Sequence, residues 1–179
     1  MWICTVSSHF STIETYSRWI KKLTDHYNVI LRPHPLEIDP QYSRYKKKVH
    51  QIVNSGDFIV NTDAYQNMSE LYLITDFVMC DYGGSLFSAL YLNKKILLMN
   101  HKDAYLDEGV YTSESIELRK YLPSINETDA HGIKEIFDDQ KIFFLKEKYQ
   151  EARNIYFGTN KSSECSKIVA QKLEKTLRF

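Results

Sequence analysis

The stretch Phe77-Val-Met-Cys-Asp-Tyr-Gly-Gly-Ser-Leu-Phe-Ser-Ala-Leu-Tyr-Leu-Asn-Lys-Lys-Ile-Leu-Leu-Met99 sets two apolar runs on either side of a double glycine and a short helix-like segment. Phe77 to Cys80 reads as a buried strand, Ser85 to Leu92 as a helix and Ile96 to Met99 as a second buried strand, which together make a compact βαβ unit. A crossover of this kind joins parallel strands, and in open parallel sheets ligands gather beyond the carboxyl ends of the strands. Asp81-Tyr82-Gly83-Gly84-Ser85 lies at such an end. Gly83 and Gly84 lack a Cβ, so the chain can turn sharply there and a ligand can approach the backbone closely. The helix beginning near Ser85 offers unpaired N–H groups and the positive end of its dipole, a combination that suits a phosphate. The same residues also make an ordinary strand-to-helix turn with a capping hydroxyl, and the sequence contains neither the Walker pattern nor a GxGxxG fingerprint.

Outward from this unit, strand-like and helix-like segments alternate. Upstream, Trp2 to Val6 reads as a strand, Ile13 to Asp25 as a helix, Asn28 to Arg32 as a strand and Tyr42 to Asn54 as a helix. Asp57 to Val60 follows as a short strand and Gln66 to Ile74 as a short helix. Downstream come a loop from Asn100 to Thr112, helical stretches near Glu114–Tyr121, Ala130–Phe137 and Ile142–Phe157, and a last helix from about Ser162 to Leu177. This alternation predicts one α/β domain with a parallel sheet of about five strands, and a chain of 179 residues has the length for one such core.

Charge excludes some functions. The 23 basic and 23 acidic residues cancel, so nothing global draws the chain to nucleic acid or to an anionic membrane surface. The densest basic cluster, Arg44-Tyr-Lys-Lys-Lys48, falls in an amphipathic helical pattern and reads as a solvated face. Cys4, Cys80 and Cys165 are odd in number, far apart and without metal-ligand spacing, which predicts reduced thiols in a cytoplasmic setting and neither a metal nor a cofactor. No run approaches the ~20 apolar residues of a membrane span, and the first apolar run is too short for a secretory leader.

A second constellation lies at the end of the second strand. In Arg32-Pro33-His34-Pro35 two prolines fix the backbone around a histidine on the same sheet edge as Gly83-Gly84. A histidine there can donate to a phosphate oxygen or pass a proton, and Arg32 can neutralise charge. The alternative is that His34 caps a turn and Arg32 faces solvent.

Taken in order, Arg32-Pro-His-Pro35, Ser69-Glu70-Leu71 with Asp76 before an apolar strand, and Cys80-Asp81-Tyr82 at a strand-to-helix turn resemble the CDP-glycerol glycerophosphotransferases of teichoic acid and capsule synthesis. That family carries a basic-x-His-Pro element, a Ser-Glu-Leu helix, an Asp-Tyr-Ser-Ser turn and an Arg-Gly-x-Tyr loop. The likeness runs from about Asn28 to Tyr111, and more loosely through the helix after Asn160. It departs at Gly83-Gly84, where the family has two serines although Ser85 follows, and at Glu108-Gly109-Val110-Tyr111, where an anion replaces the expected arginine. It departs again at Asn160-Lys161 and at Ser7-Ser8-His9.

The resemblance implies a Rossmann-like three-layer domain over residues 1–179, similar to the C-terminal half of a GT-B glycosyltransferase, with its C-terminal helices from about 128. It implies transfer of glycerol phosphate or a related polyol phosphate from a CDP-linked donor to a polymer or glycan acceptor, with CMP leaving. His34 and Asp81 take the catalytic places. Arg32, Ser69, Glu70, Tyr82, Gly83, Gly84, Ser85, Gly109 and Tyr111 take the substrate-binding ones. A base and an acceptor groove are expected on an N-terminal Rossmann-like domain outside this sequence, so the chain alone is expected to turn over little. The setting implied is the cytoplasm, at or near the inner face of the cell membrane, with any membrane association made through other regions. Two other readings stay open: a UDP-sugar-binding GT-B or epimerase-like domain, and a non-catalytic module that binds a protein partner.

Overall fold

The computed structural model describes residues 1–42, 46–144 and 146–158. The expected last helix, Asn160-Lys161, Cys165 and part of the Arg44–Lys48 cluster lie outside the described residues. Among the described residues six strands form one sheet, all parallel: β1 (Trp2–Ile3), β2 (Ile30–Arg32), β3 (Ile59–Val60), β4 (Phe77–Cys80), β5 (Lys95–Met99) and β6 (Ser124–Ile125), in the order β3-β2-β1-β4-β5-β6. The sheet has one strand more than the sequence pattern predicts. The addition is β6, which is two residues long and too short to show a period; only its pairing of Leu98 with Ser124 and Met99 with Ile125 makes it a strand.

The helices of the described residues lie between the strands, except for the last two, which follow β6. They are α1 (Thr12–Ile20), α2 (Pro35–Ile38), α3 (Lys46–Val53), α4 (Met68–Leu73), α5 (Ser85–Tyr91), α6 (Glu108–Tyr111), α7 (Glu114–Glu117), α8 (Ile133–Asp139) and α9 (Lys146–Phe157). The predicted loop at 100–112 in fact winds into a 3-10 turn, Lys102–Leu106, and α6.

Strand side chains alternate between the two faces. Trp2, Met79, Leu97 and Met99 enter a core with Ile13, Tyr16 and Ile20 of α1, Val49 of α3 and Ile133 and Phe137 of α8. Ile3, Val78, Cys80, Ile96 and Leu98 enter a second core with Leu71 and Tyr72 of α4, Leu86, Ala89 and Leu90 of α5 and Tyr149 and Ala152 of α9. Covering both faces is what makes β4 and β5 read as unbroken apolar runs. The predicted βαβ unit is present: β4 and β5 pair in parallel, Val78 opposite Ile96, with α5 between them.

The edge of β5 is closed from outside the sheet. The buried Tyr149 hydroxyl donates to the Ile96 carbonyl at 2.9 Å and accepts from the Ile96 amide at 2.9 Å, and burial pushes its pKa up to about 12. Tyr149→Phe leaves both backbone groups dry and unpaired and is expected to cost about 1–2 kcal/mol in urea unfolding. A loss below about 0.5 kcal/mol would show that the edge is closed by other means.

Candidate functional site

The strand order has its reversal between β1 and β4: from β1 the chain builds outward through β2 to β3, and then returns to β4 on the other side. A doubly wound sheet opens a crevice at this point, beyond the carboxyl ends. The turn from Asp81 to Ser85 follows β4 and forms one side of the crevice, and the β1–α1 loop forms its floor. His34 follows β2, so it stands two strand spacings, roughly 10 Å, across from the glycines.

Asp81 is fully buried and knits the floor together. Its carboxylate accepts from the Thr5 amide at 2.9 and 3.1 Å, from the Tyr82 amide at 2.7 Å and from the Thr12 hydroxyl. Burial outweighs these donors and raises its pKa to about 6. With its oxygens so engaged, Asp81 shapes the turn. Thr5 and Thr12 thus belong to the site, although nothing in their local sequence marks them.

The two glycines differ. Gly83 has φ +94°, in the left-handed region, and a Cβ there would lie 3.3 Å from the Thr5 hydroxyl, so glycine is required by the turn itself. Gly84 has ordinary helical angles, and a Cβ on it would meet nothing within 4 Å. Gly84 is the N-cap of α5, and no side chain caps that end. The capping role expected for a hydroxyl at this turn is therefore absent, and the first amides of α5 have no intrahelical acceptor. Tyr72 from α4 ties the turn down by donating to the Ser85 carbonyl at 2.7 Å.

His34 caps α2, as the plainer of its two readings held: Nδ1 accepts from the Leu36 amide at 3.2 Å. That bond puts the ring hydrogen on Nε2, and partial burial lowers the pKa, so the neutral ring keeps one N–H donor. Arg32 does not face solvent. It is buried, and its guanidinium donates to the Asn61 side chain and, at 2.7 Å, to the Asp63 carbonyl beyond β3.

On the far side stands Arg119, a residue not singled out from sequence. It stacks 4.0 Å over the Tyr82 ring and donates to the Asp81 carbonyl at 2.7 Å, to Asn100 at 2.6 Å and to the Ser115 carbonyl at 2.6 Å. Tyr82 is buried against Phe10 and Val110, and its hydroxyl accepts from the His101 amide at 3.0 Å. Through Val110, and through the Ser7 hydroxyl donating to Asp107 at 2.6 Å, α6 with Gly109 and Tyr111 is held beside the crevice; Tyr111 itself is exposed. Ser69 and Glu70 are exposed in the first turn of α4. Clefts of about 660 Å³ beside α1 and α3 and about 550 Å³ at the amino edge of the sheet lie away from these residues.

Solved structures share this fold. The chain superposes on the Wall Teichoic Acid Polymerase TagF with a TM-score of 0.61 at 20% identity, over 98% of this chain and 43% of that one. A histidine-to-asparagine variant of TagF with CDPG from a 30 minute soak gives 0.62 at 20% identity, over 100% and 43%. A histidine-to-alanine variant gives 0.58 at 22%, over 98% and 42%. At these identities the likeness shows the fold, a six-stranded parallel α/β sheet, and the chain spans less than half the length of the polymerase. No curated protein sequence matches it. The model of one sequence family, CDP-Glycerol:Poly(glycerophosphate) glycerophosphotransferase, matches residues 4–171, and the chain therefore belongs to that family.

Proposed function

We propose that the chain is the donor-binding unit of a transferase that moves glycerol phosphate, or a related polyol phosphate, from a CDP-linked donor to a cell-surface polymer. The observation that carries this reading is the convergence of the His34 turn and the uncapped Gly84–Ser85 helix start on the crevice between β1 and β4, in a chain of this family. A gap of roughly 10 Å is too wide for one phosphate and suits a diphosphate with its substituents.

In the reaction an acceptor hydroxyl attacks the phosphorus that bears glycerol, the bond to the CMP oxygen breaks, and the hydroxyl proton passes to a base. The demands on the protein are alignment and neutralisation of the diphosphate charge. Here the donors on offer are His34 Nε2–H and the first amides of α5. Asp81 holds the turn from beneath, and Arg32 and Arg119 fix the two flanks through backbone and amide oxygens. Base and acceptor groove are assigned to a further domain, so donor binding and not turnover is the property to test. Among the described residues no helix is long and apolar enough to cross a membrane, and association with a membrane face is assigned to other regions.

Gly84→Val is the discriminating variant. Its backbone angles and surroundings accept a side chain, while the side chain occupies the space above the helix start. Calorimetric titration with CDP-glycerol is expected to show at least about tenfold weaker binding for Gly84→Val and unchanged binding for Ser88→Ala, further along α5. Equal affinity in parent and Gly84→Val would put the phosphates elsewhere. Tighter binding of UDP-sugars than of CDP-glycerol would favour the sugar-transferase alternative, and no nucleotide binding by a folded chain would favour the partner module.

A further inference from the structure

Glu37 lies in the first turn of α2, three residues after His34, and is only 3% exposed. A glutamate at this position ordinarily reaches back to its own helix start. Here the side chain turns inward. One oxygen, Oε1, meets the hydroxyl of Ser11, the N-cap of α1; the other, Oε2, is buried without a hydrogen-bond partner. The groups acting on it electrostatically are the Asp81 carboxylate and the Cys4 thiol, neither of which is positive; His34 stands on its own turn as the α2 cap, and on α3, packed against α2, His50 is engaged through Nε2 with the Ile38 carbonyl and Lys48 with Glu14. A carboxylate with a bare buried oxygen beside a second carboxylate is a costly arrangement, and a neutral acid in the same place costs much less.

We propose that Glu37 is a positioning residue that works as the neutral acid: it ties the β1–α1 loop to the His34 turn, and the crevice keeps its shape only while Glu37 holds its proton. The inference rests on the reading of His34 as a donor contact. Nothing in the local sequence suggests it, because Ser11 lies 26 residues away and the pair meets only across the top of the sheet.

Burial raises Glu37 to about 8, against the lowering effect of the Ser11 hydrogen bond and with reinforcement from Asp81. The sign follows. The folded chain keeps a proton that the unfolded chain releases near 4.5, so this group's contribution to stability is full below 4.5, declines as pH rises, and is lost above about 8. Each pH unit within that window is worth up to about tenfold in the folding constant. Asp81 acts with the same sign only up to about pH 6, while His34 and the buried Met1 amine, lowered to about 6, act with the opposite sign. The Met1 amine opposes Glu37 between about pH 6 and 8, so the parent's own profile is flattened there and the comparison with Glu37→Gln isolates the effect.

Melting and CDP-glycerol titration of parent, Glu37→Gln and Glu37→Ala between pH 6 and 9 form the test. Relative to Glu37→Gln, the parent is expected to lose up to about tenfold in folding constant per pH unit from 6.5 to 8. Its affinity for CDP-glycerol is expected to fall about tenfold between pH 7 and 9, while that of Glu37→Gln stays level. Glu37→Ala is expected to bind more weakly than either at pH 7. The carbon chemical shift of the Glu37 carboxyl, followed by NMR in the parent, gives the same answer without a substitution: a midpoint near 8 supports the proposal and one near 4.5 overturns it. Parallel binding and melting profiles for parent and Glu37→Gln overturn the role of Glu37 and leave donor binding standing. Failure of all three to bind CDP-glycerol, with the melting difference and NMR midpoint intact, overturns the donor reading and leaves the neutral acid supported.

Discussion

Asp81→Ala is expected to lower the unfolding free energy by about 3–5 kcal/mol, read by urea denaturation with tryptophan fluorescence. The carboxylate sits at 0% exposure and accepts from the Thr5 amide, the Tyr82 amide and the Thr12 hydroxyl. Truncation leaves those donors facing a dry void, and each buried unpaired donor costs about 1–3 kcal/mol. Asp81→Asn keeps one acceptor oxygen but turns an NH2 group toward the remaining donors, so a smaller loss of about 1–3 kcal/mol is expected. This ordering tests the assignment of Asp81 as the clamp between β1 and β4. A loss below about 1 kcal/mol for the alanine variant would mean that the floor of the crevice stands without it.

His34→Ala is expected to weaken CDP-glycerol binding by about tenfold to more than a hundredfold, the equivalent of about 1.5–3 kcal/mol for a hydrogen bond to a charged group. The histidine has two roles that must be separated. Nδ1 caps α2 through the Leu36 amide, and loss of a cap alone costs about 1 kcal/mol of stability. His34→Asn supplies a good N-cap from a shorter side chain and cannot extend a donor as far as Nε2. The expected result is a melting temperature close to the parent's for His34→Asn with affinity as weak as that of His34→Ala. Recovery of affinity in His34→Asn would assign the residue to the turn alone.

Much of this molecule is legible along the chain. The βαβ unit from Phe77 to Met99 is local, its strands are apolar because both faces are covered, and its helix and turn are set by residues within a few positions of one another. Parallel pairing follows from the crossover, and with it the placement of Arg32-Pro-His-Pro35 and Gly83-Gly84 on one edge. The left-handed turn at Gly83 is likewise a property of residue type. The family was legible too, because its motifs are short runs at recognisable spacing, and the match over residues 4–171 bears that out.

Tertiary structure alone decided the rest. The strand order, which puts β1 between the two motifs, and the existence of β6 depend on hydrogen bonds between distant segments and leave no period in a two-residue strand. Asp81 reads in sequence as a site carboxylate, yet its partners Thr5 and Thr12 lie 76 and 69 residues away and bury it. Arg32 reads as a phosphate ligand, yet Asn61 and Asp63 bind its guanidinium. Arg119 and Glu37 carried no signal at all. Periodicity and turn chemistry act over a few residues and are written in them, whereas the burial, charge state and hydrogen-bond partners of a polar side chain depend on which remote segments the packed sheet brings against it.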